Sequence, residues 1–393
     1  MMRNVAVGID IGTYQIKVVV AELVKENGKN TTKILGTGIS ESKGLRHGYI
    51  INGPDVIESI QTAVRMAEKS GGVKVHKAYV SVGGIGLSGV TSSASTIIGR
   101  ADLQITDLDI EKVTEICEKN IPVALVQNQK ILHSIPLSYK IDGKSILSKT
   151  PLDLKGTKLE VKMLFVTCLE PHLNDLLEAV DQAGIEVIDV LASPIAASFV
   201  TLSKTQKMAG CVLANIGSET ISIVVFENNI PVSLEVFPIG STDITNDIAL
   251  GLKIPLEEAE TIKIGGVGST SYSKKKLEEI ISARLSDMFE LIENHLKKIG
   301  RNGLLPAGIF ITGGGSGIGT IEDFAKVALK LPSRIATLVS ADQKNRVKDS
   351  TWAVAYGLCM LGLSKEEKSN LGMRHRMSKS SEKVFGWLKQ FLP

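Results

Sequence analysis

Two distant stretches of this chain share one pattern. Residues 4–24 (NVAVGIDIGTYQIKVVVAELV) are two β-rich runs flanking Asp10-Ile11-Gly12-Thr13-Tyr14, and residues 211–226 (CVLANIGSETISIVVF) repeat strand, glycine-bearing turn, strand. Apolar runs around a polar turn spell a β-hairpin. An echo at this distance predicts two related lobes, each opening on a hairpin whose turn faces a shared cleft. A length of 393 residues leaves room for both and for a further unit.

The intervening sequence supplies the other elements. Pro54–Ser70 carries Val56, Ile57, Ile60, Val64 and Ala67 at helical spacing and stops at Gly71-Gly72, and Lys77–Val82 reads as a strand. From about Gly83 to Phe165 the texture turns to Ser, Thr and short β runs, with one helix near 107–120 and a strand at Lys162–Val166. This predicts an inserted α+β subdomain. Beyond it the pattern gives a helix over 171–184, a strand at Ile185–Leu191, and helices near 242–252, 255–264 and 275–299. Strand Gly308–Thr312 runs into Gly313-Gly314-Gly315-Ser316-Gly317 and a helix over 320–330. The last long helix, 350–363, is apolar on all sides.

Composition removes several classes of function. With 45 basic and 42 acidic residues the chain is +3, so it is no polycation built for nucleic acid. Aromatics are 4% against 37 glycines, which suits a ligand-cradling α/β protein better than a stacking platform for bases. Cys117, Cys168, Cys211 and Cys359 are scattered without a C-x-x-C, which predicts reduced, buried thiols. The six histidines show no ligand spacing, so no zinc site is expected. The N-terminus runs into a strand, so no signal peptide is expected. The longest apolar run, the 12 residues Trp352–Leu363, is too short to span a bilayer.

Three glycine-bearing elements point to a ligand. The turns at 10–14 and 217–220 offer backbone N–H groups that phosphate can approach closely. Asp10 at the mouth of the first can hold Mg²⁺ through water, because magnesium keeps much of its shell. Lys17, on the returning strand, can reach a phosphate. The loop 313–317, between a strand and a helix, lets backbone pass close to an adenine or ribose. Any one of these is ordinarily just a turn; the three in this order predict a nucleotide cleft between lobes. Gly84-Ile85-Gly86-Leu87-Ser88-Gly89 matches G-x-G-x-x-G, but Val90–Ile98 is not helix-like, so a strand–loop–strand is expected rather than a dinucleotide fingerprint. No P-loop motif occurs.

With these residues in hand, the chain resembles the actin/heat-shock chaperone/sugar kinase superfamily and, within it, the FtsA family of bacterial division proteins. The motifs are Asp10-Ile11-Gly12-Thr13, Gly44-Leu45-Arg46-His47-Gly48, Val80-Ser81-Val82-Gly83-Gly84, Ile131-Leu132-His133-Ser134-Ile135-Pro136, Ile216-Gly217-Ser218-Glu219-Thr220, Ile244-Thr245-Asn246-Asp247-Ile248-Ala249, Glu258-Ala259-Glu260 with Lys263, and Thr312-Gly313-Gly314-Gly315. They span nearly the whole chain. The position of the inserted subdomain is the specific part, since actin and the chaperones place their insertions elsewhere.

The resemblance implies an α/β, two-lobed actin-like (ribonuclease H-like) fold with the α+β insertion in the first lobe. Residues 1–82 and 166–200 would form lobe I around an inserted subdomain at 83–165. Lobe II would span 201–334, residues 335–363 would return to lobe I, 364–380 would be a flexible basic linker, and 381–393 a membrane-targeting helix. It also implies ATP with Mg²⁺. Gly12 and Thr13 would hold the outer phosphates with Lys17 adding charge, and Gly217 and Thr220 would form the opposing loop with Asn215 and Ser218. Glu260 and Lys263, one helical turn apart, would face ribose or adenine, although the same spacing is that of a plain surface ion pair. Gly313, Gly314 and Gly315 would back the adenosine. Three departures weaken catalysis: Asn215 stands where Asp is usual, Ser218 where a second Gly is usual, and Ser193-Pro194 where several relatives carry Glu before Pro. Without a water-orienting group worth about 10²–10⁴-fold, ATP binding with weak or absent hydrolysis is expected.

The end of the chain carries its own signal. At roughly 100° per residue, Val384, Phe385, Trp387, Leu388, Phe391 and Leu392 share about 160° of arc, while Lys383, Gly386, Lys389 and Gln390 lie opposite. Such a helix is too short to span but can lie in an anionic lipid interface with its lysines, Lys389 among them, toward headgroups; docking on its own core is the plainer reading. Relatives by resemblance polymerise on the cytoplasmic membrane face at the division site, bind the tail of the tubulin-like FtsZ, and recruit downstream division proteins. FtsZ would meet the helix around Ser282–Lys298, with Arg284 a candidate for an acidic partner or simply part of a solvated face. A type IV pilus scaffold or, further off, a sugar kinase would share the two-lobed fold.

Overall fold

The computed structural model describes residues 4–26, 29–148, 150–266, 272–338 and 349–370. The chain opens with β1 (Val5–Ile11), β2 (Gln15–Glu26) and β3 (Lys29–Glu41), a small hairpin β4 (Leu45–Arg46) and β5 (Tyr49–Ile50), then α1 (Gly53–Gly71) and β6 (Lys77–Val82). The insertion follows as β7 (Ser88–Ile97), α2 (Asp107–Lys119), α3 (Val123–Val126), β8 (Gln129–Ile141), β9 (Lys144–Ser145) and β10 (Lys158–Leu169). α4 (Glu170–Gln182), β11 (Glu186–Ala192) and α5 (Ser193–Thr201) return to the first lobe. Lobe II is α6 (Lys204–Ala209), β12 (Cys211–Ile216), β13 (Ile221–Glu227), β14 (Ile230–Phe237), α7 (Ser241–Leu252), α8 (Leu256–Lys263), α9 (Lys274–Lys298), β15 (Gly308–Thr312), α10 (Ile321–Leu329) and β16 (Ser333–Ile335). α11 (Ala353–Asn370) completes the described chain.

The two lobes carry matching five-stranded sheets, ordered β11-β6-β1-β2-β3 and β14-β13-β12-β15-β16. In each, the opening hairpin is antiparallel and its first strand pairs in parallel with a later one. The strand ends also match. Ile11 faces Ile16 and Ile216 faces Ile221, so both turns hold four residues. The echo seen in the sequence is therefore a structural duplication, and it gives the two-lobed fold its cleft.

Pleating explains how one sheet serves two cores. In lobe II, Cys211, Leu213, Val224, Phe226, Leu234 and Val236 point into the core shared with lobe I. Their neighbours Val212, Ala214, Ile223, Val225, Ile309 and Ile311 point into a second core under the helices of that lobe. Period-2 alternation makes this division unavoidable once the strands are two-sided apolar. β10 divides in the same way. Leu159, Val161, Met163 and Phe165 build a third core with Ile105, Ile110, Val113 and Cys117 of the insertion, while Leu164, Val166 and Cys168 pack into lobe I. The insertion thus has its own core yet shares one strand with the body.

Sequence and structure differ at two boundaries. The strand expected at Lys162–Val166 is a twelve-residue strand with both other long strands of the insertion paired to it. The last helix starts at Ala353, after a tight turn at Ser350–Trp352, and continues to Asn370, seven residues into the stretch read as linker. Its apolar part is buried on every side, and Gly357 lets it lie against the Ala196 backbone of α5. All four cysteines are free and buried. The residues expected to face a membrane, Val384, Phe385, Trp387, Leu388, Lys389, Phe391 and Leu392, lie outside the described residues. Among the described residues no helix is long and apolar enough to cross a membrane.

Candidate functional site

The matched hairpin turns meet at a cleft of about 350 Å³ between the lobes. Its walls include Asp10, Gly12, Thr13 and Lys17 from the first hairpin and Asn215, Gly217, Ser218 and Thr220 from the second. Glu260 and Lys263 of α8 and Gly313 and Gly314 after β15 complete the set brought together. Gly315 does not line the cleft: it is buried behind it, against the Ile216 side chain. Arg284 lies on α9, where Nε and Nη2 grip Asp247 at 2.7 and 3.1 Å with Asp287 at 3.4 Å.

Both turns are closed by the same bond. Gly12 N donates to Gln15 O at 3.2 Å and Gly217 N to Thr220 O at 2.8 Å. The second turn is also anchored from below, since Ser241 N donates to Gly217 O and Thr242 N to Ser218 O at the start of α7. Gly313 has φ 88°, and a Cβ there would press on Ile216 O at 2.5 Å. A side chain at that position would displace the second turn, so the close approach requires glycine.

The charges in the cleft are held at a cost. Burial pushes the Asp10 carboxyl above the usual carboxylate range; a hydrogen bond from Ser81 Oγ at 2.8 Å and the Lys17 ammonium pull it part of the way back. Burial lowers Lys17, against the opposing pull of Asp10 and Asp349. The Lys17 ammonium donates to Thr351 O at 2.9 Å and sits 5.5 Å over the Trp352 ring. Lys263 is buried and fixed by three acceptors: Glu260 Oε2 at 2.6 Å, Thr245 Oγ1 at 2.9 Å and Ser241 O at 3.1 Å. Glu260 and Lys263 thus form an ion pair and line the cleft, but the pair is not a surface one, because Lys263 is buried.

Among the described residues no group of three or more His, Cys, Asp or Glu could hold a metal by itself. Glu260 is paired with Lys263 and Asp349 accepts from Thr351, so Asp10, among hydroxyls and backbone, is the carboxylate that would suit a hard cation bringing its own water, as magnesium does. Asn215 occupies in lobe II the place of Asp10 in lobe I, each opposite the same step of its hairpin. These equivalent positions are therefore a carboxylate in lobe I and a neutral amide in lobe II.

Sequence reasoning missed part of the wall. Gly83 and Gly84 line the cleft, although no helix follows them and no dinucleotide fold forms. They follow β6 as Gly313 and Gly314 follow β15, so the duplication could have found them. Asp349, Ser350 and Thr351 also line it. Thr312 Oγ1 donates to Ser350 O at 2.9 Å, so this turn is held by lobe II through Thr312 and by lobe I through Lys17. No apolar pattern marks so short a polar turn.

The chain is similar to known proteins in sequence and in fold. A family model described as Cell division protein FtsA matches residues 212–357, and one described as SHS2 domain inserted in FTSA matches residues 84–167. Cell division protein FtsA of Pseudomonas aeruginosa is 29% identical over 397 residues, covering 95% of this chain and 92% of that protein. The Bacillus subtilis protein of the same name is 29% identical over 352 residues, covering 84% and 78%. Among solved structures, a chain of the PilM-PilN type IV pilus biogenesis complex superposes with a TM-score of 0.66 at 18% identity, covering 91% of this chain and 98% of that one. MreB5 of Spiroplasma citri bound to ADP gives a TM-score of 0.51 at 13% identity, covering 94% and 99%. At such identities these two speak for an actin-like fold alone.

Proposed function

Since the chain belongs to the FtsA family and so has a role in bacterial cell division, we propose that it binds ATP with Mg²⁺ in the interlobe cleft and works as a polymerising adaptor. In this reading it tethers the FtsZ ring, by the FtsZ C-terminal tail, to the cytoplasmic face of the membrane through residues 381–393, and helps assemble downstream division proteins. The observation that supports nucleotide binding best is the duplicated pair of four-residue turns facing one cleft, with Lys17 and Lys263 supplying positive charge and Asp10 negative. When bound, Mg²⁺ would neutralise phosphate charge beside Asp10. Lys17 would exchange its bond to Thr351 O for a phosphate oxygen, and Lys263 would keep Glu260 turned toward the ligand.

Hydrolysis is expected to be slow. Asn215 is a neutral amide, and Ser193, which lines the cleft, is a poor base. Arg284 is a candidate for an acidic tail peptide: its pair with Asp247 is partly exposed, and a partner carboxylate would have to compete with that bidentate bond. Pull-down with an FtsZ-tail peptide tests the adaptor reading. Capture by the full chain, weakened in Arg284→Ala, supports it; no capture by the wild type overturns it.

A further inference from the structure

The Gly44–Gly48 motif takes no part in the phosphate turns, yet it reaches them. β4 and β5 form a two-residue hairpin whose tip, His47-Gly48, has φ of 49° and 84°. Two positive φ angles are the signature of a type I′ turn, where Asn-Gly is favoured. A histidine at the first position is an uncommon backbone choice, and such choices persist where the surroundings hold them.

The surroundings here are the opposite lobe. His47 N donates to Glu219 Oε2 at 2.5 Å, and the ring Nδ1 lies 3.3 Å from Glu219 O. Glu219 sits in the second four-residue turn, beside cleft-lining Ser218 and Thr220. The other side of the tip rests on the root of the insertion. Ile85 N donates to His47 O at 3.3 Å, and a Cβ on Gly48 would fall 2.8 Å from Gly84 N. Next to the tip, the Tyr49 and His172 rings meet edge to face at 4.7 Å, with His172 Nε2 at 3.2 Å from Gly83 O.

We propose that the β4–β5 tip is a clasp joining the second turn to the root of the insertion, so that Glu219 and His47 are positioning residues through which cleft occupancy is felt at Ile85–Gly89, beyond the cleft-lining Gly83 and Gly84. The inference rests on the nucleotide reading above. A phosphate seated against Ser218 and Thr220, which line the cleft where Glu219 does not, pulls on a turn whose Glu219 carboxylate is fixed to the His47 N–H. A charged acceptor makes that bond stronger than a neutral one. The backbone on the far side has no slack, because Gly48 and Gly84 touch without side chains between them.

The test is amide hydrogen exchange on the full chain with and without ATP·Mg²⁺, beside calorimetric binding of the same ligand. Coupling of this kind is typically about 5-fold or more. The wild type should therefore slow exchange over Ile85–Gly89 about 5-fold on binding. Glu219→Ala should still bind ATP·Mg²⁺ but lose that response. His47→Gly keeps the backbone donor and the positive φ, and should retain it. An undiminished response in Glu219→Ala overturns the clasp, as does a wild type that binds nucleotide without slowing exchange there. A response lost in His47→Gly but kept in Glu219→Ala also overturns it. A wild type that binds no ATP·Mg²⁺ by calorimetry overturns the nucleotide reading itself, and the clasp with it.

Discussion

At the residue scale the cleft turns on one asymmetry. Asp10 and Asn215 hold equivalent places in duplicated hairpins, but only the first is a carboxylate. Its burial raises its pKa, so an empty cleft disfavours the charge that a cation would favour. Mg²⁺ dependence should therefore run through Asp10. ATP affinity measured with Mg²⁺ should drop about 10-fold or more in Asp10→Asn, the loss of one good charge interaction. In excess EDTA the wild type should fall toward the level of the variant, because the amide introduced by Asp10→Asn lacks the charge that a carboxylate offers the hydrated cation. Equal EDTA sensitivity in both chains would remove Asp10 from the metal site. The residues of the two hairpins were legible because Gly, Asp and Lys stood at turn positions between clear strands. Asp349 and Thr351 were not, since their place in the wall depends on Lys17, more than 300 positions away in sequence.

At the element scale, strands and helices were legible wherever one face is buried. The buried positions of α1 include Val56, Ile60, Val64 and Ala67, as expected from spacing, while Ile57, expected with them, is only partly buried. The insertion was legible as a change of texture but not as a sheet, because β7 is mostly Ser and Thr and carries a weak alternation. The α9–β14 contact was invisible in sequence, and it carries a pH prediction. His295 on α9 is buried, bonded to Ser233 of β14 at 2.7 Å, and has Phe237 edge-on at 6.3 Å. Burial, with Lys298 nearby, lowers its pKa to about 4. Glu235 Oε2 is 3.7 Å away, but burial raises that carboxyl too, so it offers a weakened counter-charge. A depressed histidine adds stability above its unfolded pKa, near 6.5, and that stability is lost as pH falls toward 4. The loss is at most roughly 3 kcal/mol at full protonation. Melting temperatures from pH 7 to 4.5 should fall less steeply in His295→Gln, which keeps a partner for Ser233. Parallel curves would show that His295 is not the acid-sensitive group.

At the scale of the whole molecule, charge is distributed unevenly. Residues 364–393 hold seven basic and three acidic side chains, which leaves the rest of the chain close to neutral although the total is +3. A near-neutral body suits self-association, while a basic, aromatic end suits an anionic surface. Each basic residue near such a surface is worth about 1 kcal/mol, so the stretch 365–389 alone can bias the chain toward lipid. Attraction of that kind is screened by salt, whereas burial of Phe385, Trp387 and Phe391 in lipid would not be. The two contributions can be separated. Removing 381–393 should abolish co-sedimentation with anionic vesicles while ATP·Mg²⁺ binding is unchanged, because the cleft is built entirely from residues 10–354. Trp387→Glu should weaken sedimentation at all salt concentrations, since it removes apolar burial and adds a like charge to the lipid. Lys383→Gln with Lys389→Gln should weaken it mainly at low salt. Equal lipid binding by the truncated chain would place the membrane contact elsewhere in the body.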